Sequence, residues 1–135
     1  MPRFMLDTNT VSYIIKGRPA ARENLLRTPM EQVCISAITE AELLLGLAQN
    51  PAATRLAEIV AEFLIRVEIL PWDSDAARAY AVFASASLRE GKSLSALDML
   101  IASHALSVGA ILVTSDRSFY RLKRRPQLAD WSKSS

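Results

Sequence analysis

The sequence is short of the residues that staples and soft metal sites need. Its one cysteine, Cys34, has no partner for an internal disulfide or a zinc knuckle. Within Val33-Cys34-Ile35 it reads as a small buried hydrophobe. Its one histidine, His104, lies far from Cys34 along the chain, so the two do not suggest a zinc pair, and chemistry that needs two imidazoles as acid and base is poorly supplied. No apolar run is long enough for a signal peptide at the start or for a membrane span anywhere, so the expected location is the cytoplasm. There is also no internal repeat, no low-complexity tract and no linker rich enough to separate a second domain. The 135 residues are therefore expected to form one domain, residues 1–135. A chain of this size buries roughly 68% of its unfolded surface, enough for a core without staples.

What is present is an alternation of short apolar runs and amphipathic segments. Phe4-Met5-Leu6 reads as a buried strand, and Thr8, Asn9 and Thr10 after it suit a turn or a helix start. A helix continues over 11–16 and Gly17 stops it; Pro19 suits the first turn of a second, through about Arg27. Gln32 to Ile35 is a second strand. The next helix is expected to bury Ala41, Leu44, Leu45 and Ala48 at the i, i+3, i+4, i+7 spacing. Asn50-Pro51 ends it and opens another helix, to about Arg66. Val67 to Leu70 is a third strand. Asp73 or Ser74 caps a long alanine-rich helix that ends at Gly91, and Ser93 to Ser95 form a polar hinge. Leu97 to Val108 is helical, Ala110 to Val113 is a fourth strand, and a short basic helix and a tail follow. This order argues for an α/β fold, three layers around a parallel sheet of four or five strands.

Four carboxylates fall at element boundaries: Asp7, Glu42, Asp98 and Asp116. Singly, each reads as a cap. Thr39-Glu40-Ala41-Glu42 fits a capping box, Ser95-Ala96-Leu97-Asp98 fits the same pattern with a shorter acid, and Asp7 and Asp116 suit the helices that follow their strands. Such acids stabilise helix starts by roughly 0.3–1 kcal/mol each. Together they read differently. Asp7 and Asp116 leave two buried strands at their C-terminal ends, the rim where open α/β sheets bind ligands, and a parallel sheet would start the other two helices from the same rim. Like charges gathered there repel unless a cation sits among them. Mg²⁺ or Mn²⁺, hard ions that take oxygen ligands, fit best.

Net charge is +2, with sixteen Lys and Arg against fourteen Asp and Glu. Withdrawing four acids to hold metal leaves sixteen bases against ten. The densest stretch carries Arg117, Arg121, Lys123, Arg124 and Arg125, and reads either as a solvated helix end or as a phosphate-binding lip.

The blocks Phe4-Met5-Leu6-Asp7-Thr8-Asn9, Ser36-Ala37-Ile38-Thr39-Glu40-Ala41-Glu42-Leu43 with Gly46, Asp98-Met99-Leu100-Ile101-Ala102 and Leu112-Val113-Thr114-Ser115-Asp116 with Phe119 occur in this order. Nearly end to end, the chain resembles a PIN-domain ribonuclease, specifically a VapC-type toxin of a type II toxin–antitoxin pair. The resemblance implies a PIN-like fold and an acidic catalytic site of Asp7, Glu42, Asp98 and Asp116. Asp7 and Asp98 would be direct metal ligands, Glu42 and Asp116 close by or acting through water, and Thr114 and Ser115 would support them. It further implies Mg²⁺- or Mn²⁺-dependent cleavage of RNA, in a tRNA anticodon loop with the initiator tRNA as the specific expectation. The implied partners are a homodimeric second copy, a VapB-type antitoxin, and DNA only through that antitoxin. Arg117, Tyr120, Arg121, Lys123, Arg124 and Arg125 are then the RNA-binding candidates.

Other readings compete. Asp7-Thr8-Asn9-Thr10 also resembles the start of a haloacid dehalogenase-like phosphatase, although Asn9 replaces its second acid. Strand-end acids fit a non-enzymatic, Mg²⁺-binding receiver-like module too, although no lysine follows a late strand. His104, six residues after Asp98 and on another helical face, reads as structural or surface. Tyr13, Trp72, Tyr120 and Trp131 are candidates to stack on bases. Packing suits Trp72 better, and Tyr120, in the basic segment, suits stacking best. The small residues of the alanine-rich helix would allow another helix to approach closely.

Overall fold

The computed structural model describes residues 2–91 and 94–134. Its sheet has five strands: β1 (Phe4–Leu6), β2 (Val33–Ser36), β3 (Glu68–Leu70), β4 (Ile111–Val113) and β5 (Leu128–Ala129). They run parallel in the order β3-β2-β1-β4-β5. Parallel neighbours need crossovers, and these are supplied by α1 (Thr8–Ile15), α2 (Pro19–Leu26), α3 (Ala37–Ala48), α4 (Thr54–Arg66), α5 (Ser74–Arg89), α6 (Ala96–Val108) and the short α7 (Arg117–Tyr120).

Two hydrophobic clusters pack on opposite faces of the sheet, which makes the three layers. Met5, Cys34 and Leu112 join Phe83 and Ala84 of α5 and Ile101, Ala102 and Ala105 of α6. Leu6, Ile35 and Val113 join Val11 and Ile14 of α1 and Ala21 of α2. In β1, consecutive Met5 and Leu6 are both fully buried, on opposite faces. Each contributes about 1.5–3 kcal/mol, and a slip of one residue would exchange the faces, so the register of β1, and with it the position of Asp7, is strongly fixed. Gly109, at φ 66°, caps α6 in the left-handed conformation and turns the chain into β4.

The structure departs from the sequence-based expectation at three places, all around α3 and α4. First, α3 begins at Ala37, capped by Ser36, whose hydroxyl accepts from Ile38 N–H. Thr39 is an interior helical residue, so the capping box with Glu42 does not form. Second, Ala41, Leu44, Leu45 and Ala48 face outward, with Leu44 48% and Leu45 56% exposed. The inward side is Thr39, with Ile38 and Leu43 partly buried. Helix α3 is apolar on nearly every side, so periodicity alone does not distinguish its faces. Third, Pro51 lies in a turn and α4 starts only at Thr54, without a side-chain cap. Of the polar hinge at Ser93 to Ser95, Ser93 lies outside the described residues, and Ser95 is the N-cap of α6. The small residues Ala76 and Ala84 of α5 are buried within this chain, where α5 packs on α6.

Candidate active site at the strand ends

Three adjacent strands, β2, β1 and β4, deliver their C-terminal ends to one rim. Asp7 follows β1 and is buried. Its backbone N–H donates to the Val113 carbonyl at 3.1 Å, which ties it to the end of β4. Its carboxylate caps α1, with Oδ1 accepting from Thr10 N–H at 2.8 Å. The Thr10 hydroxyl donates to the same Val113 carbonyl at 3.1 Å. Asp116 caps α7, with Oδ1 accepting from Ser118 N–H at 2.9 Å. For these two acids, then, capping and a shared rim are compatible: one oxygen caps, and the carboxylate stays at the strand end.

Glu42 projects from α3 toward α1. The Thr8 hydroxyl donates to Glu42 Oε1 at 2.6 Å, and the Thr39 hydroxyl lies 3.4 Å from that of Thr8. Asp98 sits in the first turn of α6, where its N–H donates to the Ser95 hydroxyl at 3.2 Å.

The electrostatics link Asp98 to the other three acids. Burial pushes the Asp98 carboxyl above the ordinary carboxylate range. A hydrogen bond from Ser95 opposes this, while the charges of Asp116, Asp7 and Glu42 push it further up. Burial likewise raises Asp7, against hydrogen bonds from Thr114 and Thr10 and with the charge of Asp116 adding to the rise. Among the described residues no three acids, histidines or cysteines are drawn together as a finished ligand set. The donors gathered here are carboxylate oxygens with hydroxyls beside them, and His104 and Cys34 take no part. This donor set fits a hard divalent cation that keeps some of its waters, and does not fit zinc.

Thr114 joins two of the acids. Its hydroxyl favours the ionised form of Asp7 and accepts from Asp116 N–H at 3.1 Å. Ser115 Oγ lies 3.4 Å from the Tyr13 hydroxyl, which brings Tyr13 of α1 to the same rim. Tyr120 donates its hydroxyl to the Thr114 carbonyl at 3.0 Å. The guanidinium groups of Arg117 and Arg125 lie 5.7 and 5.9 Å from its ring centre. Lys123, Arg124 and Arg125 also border a separate hollow of about 420 Å³ with Val82, Phe83 and Leu106. Arg121 is exposed at the C-terminal end of α7. The basic segment is therefore split between the rim and the α5–α6 side.

Trp72 donates Nε1–H to the Leu100 carbonyl at 2.9 Å and meets Tyr80 edge to face, while Trp131 is buried against Phe4, so both are packing residues. His104 is fully buried, which removes the surface reading and leaves the structural one. Sequence reasoning does not reach Thr8 or Tyr13 as partners of the acidic site. Thr8 reads as a turn residue beside Asp7, and its tie to Glu42 spans 34 residues that no local pattern reports.

Comparison with known proteins shows the family and the fold. The PIN domain family matches residues 4–125. A tRNA(fMet)-specific endonuclease VapC from Salmonella typhimurium is 34% identical over 132 residues, covering 97% of this chain and 99% of that protein. The protein of the same description from Shigella flexneri is 30% identical over 98% of this chain and all of its own length. Among solved structures, a DNA-bound VapBC complex from Salmonella typhimurium has a TM-score of 0.88 at 35% identity, covering 97% of this chain and 99% of that one. A VapBC structure from nontypeable Haemophilus influenzae has a TM-score of 0.83 at 28% identity, covering 96% and 98%. The chain belongs to the PIN domain family, within its VapC ribonucleases. That membership sets aside the phosphatase-like and receiver-like readings of the Asp7 block.

Proposed function

We propose that this VapC-family ribonuclease cleaves RNA by metal-assisted hydrolysis at Asp7, Glu42, Asp98 and Asp116. The observation that carries the reading is at Asp98, whose carboxyl is raised by burial and then by the charges of Asp116, Asp7 and Glu42. In this reading Asp7 and Asp98 hold Mg²⁺ or Mn²⁺ directly, and Glu42 and Asp116 act beside them or through water. When bound, the cation supplies charge neutralisation at the phosphate and an activated water for in-line displacement of the 3′ oxygen. The chain's own residues do the positioning. Thr8 orients Glu42, Thr114 anchors the Asp116 backbone beside Asp7, and Arg117 and Arg125 beside Tyr120 offer positive charge and a ring face to the flanking nucleotides. One sheet, with a cluster on each face, supports treating residues 1–135 as a single domain.

The substrate we propose is a tRNA, cut in its anticodon loop, with initiator tRNA first to be tried because the similar Salmonella and Shigella proteins are described as tRNA(fMet)-specific. An open loop exposes base edges that a helical stem hides. The partner we propose is a VapB-type antitoxin, as in the similar VapBC complexes. A groove of about 260 Å³ runs from Thr8 and Glu42 to Leu43, Leu47, Leu56 and Val60, and suits an apolar tail that sends an arginine to the acids, where it would compete with the metal. A homodimer is proposed as well. Val82 and Leu88 of α5 and Leu106 of α6 are exposed apolar side chains that this chain leaves uncovered.

Expression of the chain alone should arrest growth, with tRNA fragments accumulating, and co-expression of a small neighbouring gene with a DNA-binding N-terminus should restore it. A monomer by sedimentation that is harmless when expressed alone would count against both the toxin and the dimer.

A further inference from the structure

His104 is the only histidine of the chain, it is fully buried on α6, and the cleavage reaction above makes no use of it. Its Nδ1 lies 2.8 Å from Ser36 Oγ. The backbone of Pro71, at the exit of β3, also faces the ring and favours its protonated form. Ser36 is the last residue of β2 and the N-cap of α3, where its hydroxyl oxygen accepts from Ile38 N–H at 3.1 Å.

One arrangement of protons fits the Ser36 contacts. Ser36 Oγ accepts from Ile38, and in this arrangement its own O–H donates to Nδ1, 2.8 Å away. With Nδ1 an acceptor, the ring proton sits on Nε2. The imidazole is neutral in this arrangement. A charged ring would present a second donor to Ser36 Oγ and leave the serine proton with no acceptor at Nδ1. Burial favours the neutral form as well, against the pull of Asp73.

We propose that His104 is a positioning residue: through Ser36 it fixes the N-terminus of α3 and so the placement of Glu42 at the rim. The proposal rests on reading the four acids as the cleavage site. Helix α3 carries Glu42 and α6 carries Asp98, and the His104–Ser36 bond ties one helix to the start of the other. The outer side of α3 is open to solvent at Leu44 and Leu45, so the helix is held from its inner side and its N-terminal end. Glu42 must come within 2.6 Å of Thr8, and a small shift at the cap would be carried along the helix to that contact.

The test is a set of variants measured with the full chain on RNA under single-turnover conditions, with enzyme in excess. His104→Leu and Ser36→Ala should each slow cleavage by about 10-fold, as loss of an outer supporting partner does, with the RNA affinity unchanged. His104→Asn, which keeps an acceptor for Ser36, should recover most of that loss. In a Glu42→Gln background, His104→Leu should add less than about 2-fold, because the two changes act through one group. Hydrogen exchange at Ile38 N–H, protected in the wild type, should quicken in His104→Leu and Ser36→Ala and not in His104→Asn. An active wild type with an unaffected His104→Leu, or an equal loss with and without Glu42, overturns this proposal alone. A wild type that cuts no RNA with Mg²⁺ or Mn²⁺ overturns the four-acid reading, and this proposal falls with it.

Discussion

The Thr8 hydroxyl donates to Glu42 Oε1 at 2.6 Å, joining the residue after the first acid to an acid 34 positions later. The bond turns a carboxylate on an exposed-sided helix toward a buried strand end. Thr8→Val keeps the shape and removes the donor. We expect it to slow RNA cleavage by about 10-fold, within the range for outer partners of site ligands, and Thr8→Ser to restore the rate. Equal rates for all three proteins would show that Glu42 needs no such support.

Asp7→Asn and Asp98→Asn should each lower cleavage by on the order of 10²-fold or more, the scale on which a single electrostatic group contributes. Both carboxyls are raised by burial and by their acidic neighbours, so removing either charge relieves repulsion in the metal-free protein. Thermal stability in EDTA should therefore hold or rise, while the stabilisation gained on adding Mg²⁺ should shrink. Wild-type cleavage rates from both variants would contradict the assignment.

Stability of the metal-free protein should vary with pH in two opposed windows. Asp7 and Asp98 have raised pKa values in the folded state, so they bind protons more tightly there than in the unfolded chain. Their stabilising effect is complete below the ordinary carboxylate range, near about pH 4, and is lost as pH climbs through their raised values. The folded-state pKa of His104 is lowered, so acidification below about pH 6.5 favours the unfolded chain, which takes up that proton more readily. Urea unfolding in EDTA across this range should show the first slope reduced in Asp7→Asn and in Asp98→Asn, and the second lost in His104→Gln. Unchanged pH profiles in these variants would refute the linkage.

Much of this site is legible in the sequence because the acids follow features that local chemistry marks. Met5-Leu6 and Leu112-Val113 announce buried strands, and an acid or a Thr-Ser-Asp run directly after them falls at the strand end. Ser95 and Asp98 announce the start of α6 in the same way. Helix α3 is harder. Its apolar residues run around the whole cylinder, so the spacing of Ala41, Leu44, Leu45 and Ala48 is one choice among several, and the cap belongs to Ser36 rather than Thr39. What the sequence does not show are the contacts between distant segments. Thr8 to Glu42, Tyr13 to Ser115 and His104 to Ser36 depend on how β1, β2 and β4 line up, and no local period encodes that alignment.

Tyr120 and its two arginine neighbours should act on binding more than on the chemical step. Tyr120→Ala should weaken RNA affinity by about 1–3 kcal/mol if a base stacks on the ring. Arg117→Ala should reduce the salt dependence of binding to single-stranded RNA by about 0.7 in the log–log slope, the value for one lost phosphate contact. Both are read by fluorescence anisotropy with Asp7→Asn as the uncut background, over a salt series. Unaltered affinity and slope would move the RNA path away from α7.

The most direct test of metal-assisted hydrolysis at the four acids is the chemistry of the cut ends. The only imidazole is buried against Ser36, away from the solvent side of the rim, and is not available to drive the RNA's own 2′-OH. Cleavage of tRNA should therefore need Mg²⁺ or Mn²⁺, stop in EDTA, and leave a 5′-phosphate and a 3′-hydroxyl that ligate directly to adapters requiring those ends. A 2′,3′-cyclic phosphate, formed at the same site in the presence of EDTA, would contradict the account.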